Sequence, residues 1–130
     1  MRLLLDTHIL LWALADPRRL SEPARDAIES AENEVLFSAA SIWEVAIKAE
    51  VLRAEFGVDT TTIIGAARDM RFDELAIRAE HAAAIAVLPR HHKDPFDRLL
   101  VAQALTEPAR LVTADKMLGA YSKDLVWLIA

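Results

Sequence analysis

The chain has 130 residues, 54% of them apolar, and a formal charge of −5 from 20 acidic and 15 basic side chains. This length fits one domain, for which we take residues 1–130, and the apolar content excludes a disordered chain. The negative net charge argues against a protein that coats nucleic acid through positive charge. The absence of cysteine excludes disulfides, thiolate metal sites and Cys nucleophiles.

The elements predicted from hydrophobic periodicity alternate between strands and helices. In chain order they are a strand at 3–5, helices at 9–15 and 21–31, a strand at 34–38, helices at 39–51 and 60–70, an ambiguous segment at 71–76 compatible with a brief strand, helices at 77–87 and 94–106, and strands at 110–113 and 125–129. This alternation predicts an α/β fold with a mostly parallel sheet covered by helices on both faces. Function in such sheets gathers beyond the carboxyl ends of the strands.

No uncharged stretch is long enough to cross a membrane, and Asp6 interrupts the apolar start of the chain. We therefore expect no membrane association and no signal peptide, and the expected location is the cytoplasm. Only three glycines occur, which excludes Walker-type and dinucleotide-binding loops.

Acidic side chains follow several of the predicted strands. Asp6 ends the first strand, Asp115 lies two residues after the strand at 110–113, and Glu44 lies in the helix after the strand at 34–38. Asp94 and Asp97 bracket the first turn of a helix. Because clustered carboxylates repel one another, their convergence at one edge of the sheet predicts a hard divalent cation, Mg²⁺ or Mn²⁺. Such an ion polarises phosphates and activates water.

Each acid also has a purely structural interpretation. Asp6, Asp94 and Asp115 are each placed to cap a following helix, and Asp94 stands before Pro95 in a strong helix-start pattern. Glu44 follows Ser41 by three residues, as in a capping box, and precedes Lys48 by four, as in a helical ion pair. These roles explain each acid separately, but they do not explain why all of the acids are predicted to lie at the same edge of the sheet.

The histidines and tryptophans carry weaker signals. His91 and His92 lie in a polar loop, where solvated side chains are favoured over a metal site. The remaining rings are interpreted as packing, surface or interface residues, with base stacking as the alternative for the tryptophans: His8, His81, Trp12, Trp43 and Trp127.

Four stretches resemble the PIN-domain family, in particular the VapC-type toxin ribonucleases of toxin–antitoxin pairs. They are residues 3–8 (LLLDTH), 38–44 (SAASIWE), 92–104 (HKDPFDRLLVAQA) and 111–115 (LVTAD). The third stretch is the most specific, and together the four occur in the family's order over essentially the whole chain. The resemblance implies a three-layer α/β/α PIN-like fold.

The resemblance also implies a Mg²⁺- or Mn²⁺-dependent endoribonuclease that hydrolyses RNA phosphodiester bonds. Four acids are implied to bind metal and act in catalysis: Asp6, Glu44, Asp97 and Asp115. Four further residues are implied to support them: Thr7, Ser41, Asp94 and Thr113. Asp97 matches the family's third acid best, while Asp94 caps the helix, orients Asp97 or contacts a second ion. Candidates for binding RNA phosphates, with surface ion pairs as the alternative, are Lys48, Arg98 and Lys116.

Two protein partners are implied by the family: a small antitoxin that inhibits the site, and a second copy of the chain in a homodimer. The antitoxin is expected to lay a helix along an apolar groove. The expected groove walls are Trp12, Trp43 and the helices near Leu11 and Val45.

Two other functions remain open at this stage. A receiver-like signalling module is also a small α/β domain that binds Mg²⁺, but it expects paired acids after the first strand, where Asp6 is followed by Thr7 and His8. A phosphatase with an aspartate nucleophile is disfavoured, because it requires a second Asp at position 8, where this chain has His8. A catalytically silent PIN-like RNA-binding protein is the other alternative.

Overall fold

The structure, a computed structural model, describes residues 1–91 and 93–129. His92 lies outside the described residues, so the loop prediction for the histidine pair can be followed at His91 only. The described helices are α1 (Thr7–Ala15), α2 (Glu22–Glu29), α3 (Ala39–Ile47), α4 (Ala49–Phe56), α5 (Thr60–Asp69), α6 (Ala79–Ala84) and α7 (Pro95–Thr106). Short 3₁₀ turns cover Pro17–Arg19, Ile85–Val87 and Leu118–Ala120.

A single parallel sheet forms the middle layer of the described residues. Its strands are β1 (Arg2–Leu5), β2 (Glu34–Ser38), β3 (Asp73–Leu75), β4 (Arg110–Thr113) and β5 (Val126–Leu128). They lie in the order β3-β2-β1-β4-β5, and all neighbouring pairs are parallel. The strand that begins the chain is therefore the central one, with β2 and β4 on either side.

The core has two halves, one on each face of the sheet. Leu3 and Leu5 pack toward α1, α2 and α5, whereas Leu4 packs toward α7, because successive strand side chains point to opposite faces. All three leucines are fully buried. The predicted three-layer α/β/α architecture with helices on both faces is confirmed.

Most element boundaries agree with the periodicity, but the helix predicted at 39–51 is wrong. It is two helices that meet at Lys48, and the second continues to Phe56. Lys48 has φ −97° and ψ 26°, which separates the two helices, although its N–H still donates to the Glu44 carbonyl. Gly57 then ends α4 in the left-handed region at φ 68°, where glycine adds no steric cost.

Three smaller differences from the predicted elements concern α1, α6 and β3. Helix α1 begins at Thr7 rather than residue 9, because Asp6 caps it directly. The helix predicted at 77–87 is α6 followed by a 3₁₀ turn. The ambiguous segment does contain a strand, β3. No helix of the described chain is long and apolar enough to cross a membrane.

Arg71 ends α5 in an unusual conformation. Its φ is 62°, which makes it the one described residue other than glycine with a positive φ. The Phe72 N–H donates to the Ala67 carbonyl at 3.0 Å, which is the hydrogen bond that closes a helix through a left-handed residue. A side chain with a Cβ therefore stands where glycine is the usual residue.

A buried polar network joins α6 to α7 and β2. Nδ1 of the fully buried His81 accepts the Arg78 N–H at 3.0 Å, so its Nε2 carries the proton toward Glu107 Oε2 at 2.6 Å. The side-chain Nε2 of Gln103 lies 3.3 Å from the same Nδ1, and its side-chain Oε1 accepts a hydrogen bond from the Ser38 hydroxyl. His81 is thus an internal structural residue, consistent with its predicted packing role.

Candidate active site

The carboxyl ends of β1, β2 and β4 open onto one cavity of about 320 Å³. All four predicted acids contribute to its wall, and so does Asp94. The lining residues are Asp6, Thr7, His8, Trp12, Glu44, Lys48, Asp94, Asp97, Ala114 and Asp115. A larger depression of about 630 Å³ lies near the amino ends of the central strands and is lined by residues such as Arg2, Pro108 and Arg110. It contains none of the converging acids, so we place the candidate site at the smaller cavity.

Asp6 is the innermost acid, with only 6% of its surface exposed. One carboxylate oxygen accepts the Ile9 N–H at 2.8 Å and caps α1, as predicted, and the other accepts the Thr113 hydroxyl. Burial raises the pKa of Asp6 to about 6, and the charges of Glu44 and Asp115 add to this while the two hydrogen bonds oppose it. A cation in the cavity would favour the ionised form of this group.

Glu44 faces the cavity from α3 and is almost fully buried. Its Oε1 accepts from the Thr7 hydroxyl at 2.6 Å, and that hydroxyl also lies 3.0 Å from Ser41 Oγ. The predicted capping box between Ser41 and Glu44 is wrong, because the N-cap of α3 is Ser38, whose hydroxyl accepts the Ala40 N–H at 2.9 Å. Two of the supporting hydroxyls thus hold Glu44 against the cavity.

Asp94 caps α7, as predicted. Its Oδ1 accepts the N–H of Phe96 at 2.8 Å and the N–H of Asp97 at 3.2 Å. The second of these bonds fixes the backbone of the residue that matches the family's third acid. Both carboxylates line the cavity, so the cap and the candidate ligand are parts of one rigid helix start.

Asp115 and Thr113 connect β4 to the site. The Asp115 N–H donates to Thr113 Oγ1 at 3.0 Å, while the same hydroxyl donates to Asp6. Asp115 Oδ1 accepts the Met117 N–H at 2.9 Å, but the predicted capping role of Asp115 is wrong, because the following 3₁₀ turn has Met117 as its N-cap and no side-chain cap. One threonine therefore positions acids from two neighbouring strands.

Of the three predicted phosphate-binding cations, only Lys48 lines the cavity. Its Nζ lies 2.7 Å from Glu44 Oε2 and 3.9 Å from Asp94 Oδ2. The hydrogen bond with Glu44 raises the pKa of Lys48 above its usual value. Arg98 instead donates to the Ile85 carbonyl at 3.3 Å, and Lys116 is exposed outside the cavity wall. The site therefore holds one built-in cation among five acids.

His8 and Trp12 also line the cavity, although His8 was predicted to be a packing or surface residue and Trp12 a core or interface residue at the antitoxin groove. The signal that identifies them is their spacing. They lie two and six residues after the capping acid Asp6, one turn apart on the helix that this acid starts. Trp43 is 53% exposed, which excludes the core role that the sequence left open for it.

The chemistry of the cavity suits a hard divalent cation, although no three His, Asp or Glu side chains of the described residues form a ready-made metal group. Carboxylate oxygens are the ligands that Mg²⁺ and Mn²⁺ prefer, and these ions keep several waters. Burial, together with the negative charges of Glu44 and Asp115, raises the pKa of Asp6, and a positive charge at this inner end of the cavity would lower it. At the outer end, Lys48 supplies that charge to Glu44.

Solved structures share this fold. The crystal structure of VapBC2 from Rickettsia felis, bound to a DNA fragment from their promoter, has a chain that superposes with a TM-score of 0.72 at 14% identity, and all of both chains is covered. A domain of a functionally unknown protein from Methanocaldococcus jannaschii gives a TM-score of 0.57 at 12% identity over 99% of this chain and 91% of that one. At these identities the likeness shows the fold alone.

Sequence comparison identifies the family. The model of the PIN domain matches residues 3–124. The chain therefore belongs to the PIN-domain family, and the receiver-like alternative is excluded. Ribonuclease VapC22 from Mycobacterium tuberculosis is 34% identical over 119 residues, which cover 91% of this chain and 90% of that protein. Within the family the chain is accordingly of the VapC type.

Proposed function

We propose that this protein is the toxin of a toxin–antitoxin pair and acts as a Mg²⁺- or Mn²⁺-dependent endoribonuclease in the cytoplasm. The observation that carries the proposal is the convergence of acids from four separate segments on one cavity. Similarity to a named ribonuclease over nearly the whole chain supports the same activity. The acidic net charge is compatible with it, because a bound cation reverses the sign of the potential where a phosphate must lie.

The residues proposed to hold the ion are Asp6, Asp97 and Asp115, with Glu44 completing the set. A divalent ion bound there would polarise the scissile phosphate and stabilise the leaving oxygen. Thr113 keeps Asp6 in place, and Asp94 keeps the backbone of Asp97 in place. These contacts pre-orient the ligands, which strengthens metal binding.

Glu44 and Lys48 are proposed to act on the water and the phosphate. The Glu44 carboxylate is held by Thr7, so that it can orient the attacking water and accept its proton. Lys48 stands beside it and can donate to a non-bridging phosphate oxygen. Water then adds to phosphorus, and one P–O bond to the RNA chain breaks.

Cleavage of a panel of RNAs tests this function. We expect purified protein to cut RNA with Mg²⁺ or Mn²⁺ and not with EDTA, and Asp97→Asn to lower the rate at least about 100-fold. The matched control is Asp26→Asn, which changes an exposed aspartate of α2 and should leave the rate unchanged. Full activity of Asp97→Asn would refute the site, and metal-independent RNA binding without cleavage would indicate the catalytically silent alternative.

The proposed antitoxin needs an apolar surface, and the structure changes which residues can provide one. The helices near Leu11 and Val45 were expected to form groove walls, but these two side chains are themselves buried, at 1% and 2% exposure, so other residues must provide the contact. Trp43, Ile47 and Val51 are 53%, 61% and 67% exposed at a spacing of four residues along α3 and α4. We propose this stripe, beside the cavity, as the surface on which the antitoxin helix lies.

Co-expression with the neighbouring small gene, followed by mass measurement, tests both proposed protein partners. We expect a stable complex built on a toxin homodimer, and Ile47→Asp should weaken antitoxin binding because it places a charge in an apolar contact. Asp69→Asn, at the exposed end of α5, is the control. A monomer that binds no neighbouring product would contradict this part of the proposal.

A further inference from the structure

An aromatic wall closes one side of the carboxylate cavity. His8 and Trp12 both line the cavity from α1. Their rings meet edge to face, with centroids 6.3 Å apart and planes at 71°. Phe56 of α4 contacts His8 from another side, at 6.1 Å and 64°. Two helices thus bring three rings together next to the acids.

The wall is accessible and carries a positive charge at its edge. His8 is exposed, and within the described residues its imidazole takes part in ring contacts rather than hydrogen bonds. The Arg19 guanidinium lies 4.8 Å from the centre of the Trp12 ring. The Trp12 indole N–H is buried and has no acceptor among the described residues. Packing of the core does not require an exposed imidazole at this position.

The charge of the cavity makes such a wall useful for binding a polynucleotide. Five acids and one lysine line the cavity, so phosphates other than one held by a cation are repelled. Contacts with the bases, which do not depend on the phosphate charge, would then add to the affinity for RNA. Stacking of a base on an aromatic ring contributes about 1–3 kcal/mol and suits the unpaired bases of single-stranded RNA.

We propose that His8 and Trp12 form a nucleobase-stacking subsite that binds the base adjoining the phosphate held at the carboxylates. This inference rests on the proposed function, because an RNA phosphate must lie at the acids for its neighbouring base to reach α1. His8 supplies the accessible ring. Trp12 and Phe56 hold the His8 ring in place through their edge-to-face contacts. Arg19 adds a positive charge next to the Trp12 ring.

Binding measurements in the inactive Asp97→Asn background test the subsite without cleavage. The probes are a labelled single-stranded RNA and a spacer–phosphate oligomer of the same length that lacks bases. We expect His8→Ala to weaken binding of the RNA about 5- to 100-fold and to leave binding of the base-free oligomer unchanged. His8→Phe should restore most of the loss because it keeps a ring.

His91→Ala is the matched control, since His91 is also an exposed histidine in edge contact with an aromatic ring, that of Tyr121, but lies outside the cavity wall. It should change neither affinity. An equal loss for both probes, or no loss with RNA, would overturn the subsite. So would a His8→Ala defect confined to the complex with the protein partner.

Cleavage kinetics separate this inference from the proposed function. With Asp97 intact, His8→Ala should raise KM while changing kcat little, because His8 contacts the base and not the reacting phosphate. If RNA is cut but His8→Ala does not change KM, the stacking subsite is refuted while the nuclease activity is supported. If His8 contributes to RNA binding but no RNA is ever cut, the nuclease activity is refuted while the stacking subsite is supported.

Discussion

Asp6 is only 6% exposed at the end of the central strand, where burial raises its pKa to about 6 from the ordinary value of 3.8. Below pH 3.8 the group is protonated in both the folded and the unfolded chain, so it has no effect on stability. Between these two pH values the folded chain binds the extra proton, and stability falls as pH rises. Above pH 6 the full cost, about 3 kcal/mol, is present.

Asp6→Asn should remove this cost in the metal-free protein. Relative to the wild type, we expect its free energy of unfolding to be about 2–3 kcal/mol more favourable at pH 7 than at pH 4, since the amide cannot ionise. The amide NH₂ cannot accept the Thr113 hydroxyl, but this loss is the same at both pH values. Urea unfolding in EDTA at several pH values measures the difference. Asp26→Asn is the exposed control and should show a constant difference, and an equally constant difference for Asp6→Asn would contradict the burial effect.

Divalent ions should reverse the comparison. The wild type gains stability from an ion that binds only the folded state, whereas Asp6→Asn loses a proposed ligand. We expect Mn²⁺ to raise the Tm of the wild type and to leave that of Asp6→Asn nearly unchanged. Thermal unfolding with and without Mn²⁺ checks this, and an equal rise in both proteins would place the ion elsewhere.

Arg71 stores backbone strain at the end of α5, where its φ is 62°. Arg71→Gly should raise the free energy of unfolding by about 0.5–1 kcal/mol, because glycine adopts this conformation without a Cβ clash. Arg53→Gly, at an exposed interior position of α4, should lower it by about 1 kcal/mol. Urea midpoints measure both effects, and a loss of stability on Arg71→Gly would show that the side chain compensates for its backbone.

At the scale of elements, the start of α7 combines a structural and a functional role. Asp94 accepts two backbone N–H groups, and one of them belongs to Asp97. We expect Asp94→Ala to lower stability by about 1 kcal/mol and also to lower RNA cleavage at least about 10-fold, because Asp97 loses its fixed position. Asp59→Ala removes the comparable cap of α5 and is the matched control. It should lower stability by a similar amount with cleavage unchanged, and parallel behaviour of the two variants would limit Asp94 to capping.

Helix starts were predictable because caps act through local chemistry that the sequence displays. Asp6 and Asp94 were predicted as caps, and both accept the expected backbone N–H groups, whereas Asp115 accepts the Met117 N–H without capping the 3₁₀ turn that follows. The break at Lys48 was not predictable, because residues 39–51 contain no glycine or proline and their periodicity continues across it. At the break, Lys48 contacts Glu44 one turn earlier and Asp94, the N-cap of α7, and the second of these contacts is not visible in the local pattern. The same limit explains why Ser41 and Glu44 match a local motif that the fold does not use.

At the scale of the whole molecule, the parallel sheet accounts for most of what the sequence predicted about the site. Because every strand ends at the same edge, acids that follow different strands had to approach one another. The order of the strands was not predictable from local pattern, and neither was the aromatic wall of the cavity. Both depend on how helices pack across distances that periodicity does not encode.

The buried network around His81 is the long-range contact whose loss we expect to matter most for stability. His81→Leu would leave the Arg78 N–H, Gln103 and Glu107 without their buried partner, and should lower the free energy of unfolding by about 3 kcal/mol. His91→Ala, at the surface, should change it by less than about 0.5 kcal/mol. Urea unfolding checks both, and a small effect of His81→Leu would show that water replaces the imidazole.

The central position of β1 has a consequence for synthesis. A protein leaves the ribosome from its N-terminus, so Asp6 emerges first, yet the strand that carries it stays open on one side until β4 follows more than a hundred residues later. Thr113, which holds the Asp6 carboxylate, and Asp115 arrive with or just after β4. The growing chain therefore lacks a complete set of acids until residues 1–115 have been translated and released from the exit tunnel. On the proposed assignment of the four acids, the nascent chain should therefore gain nuclease activity only after β4 and Asp115 have left the ribosome.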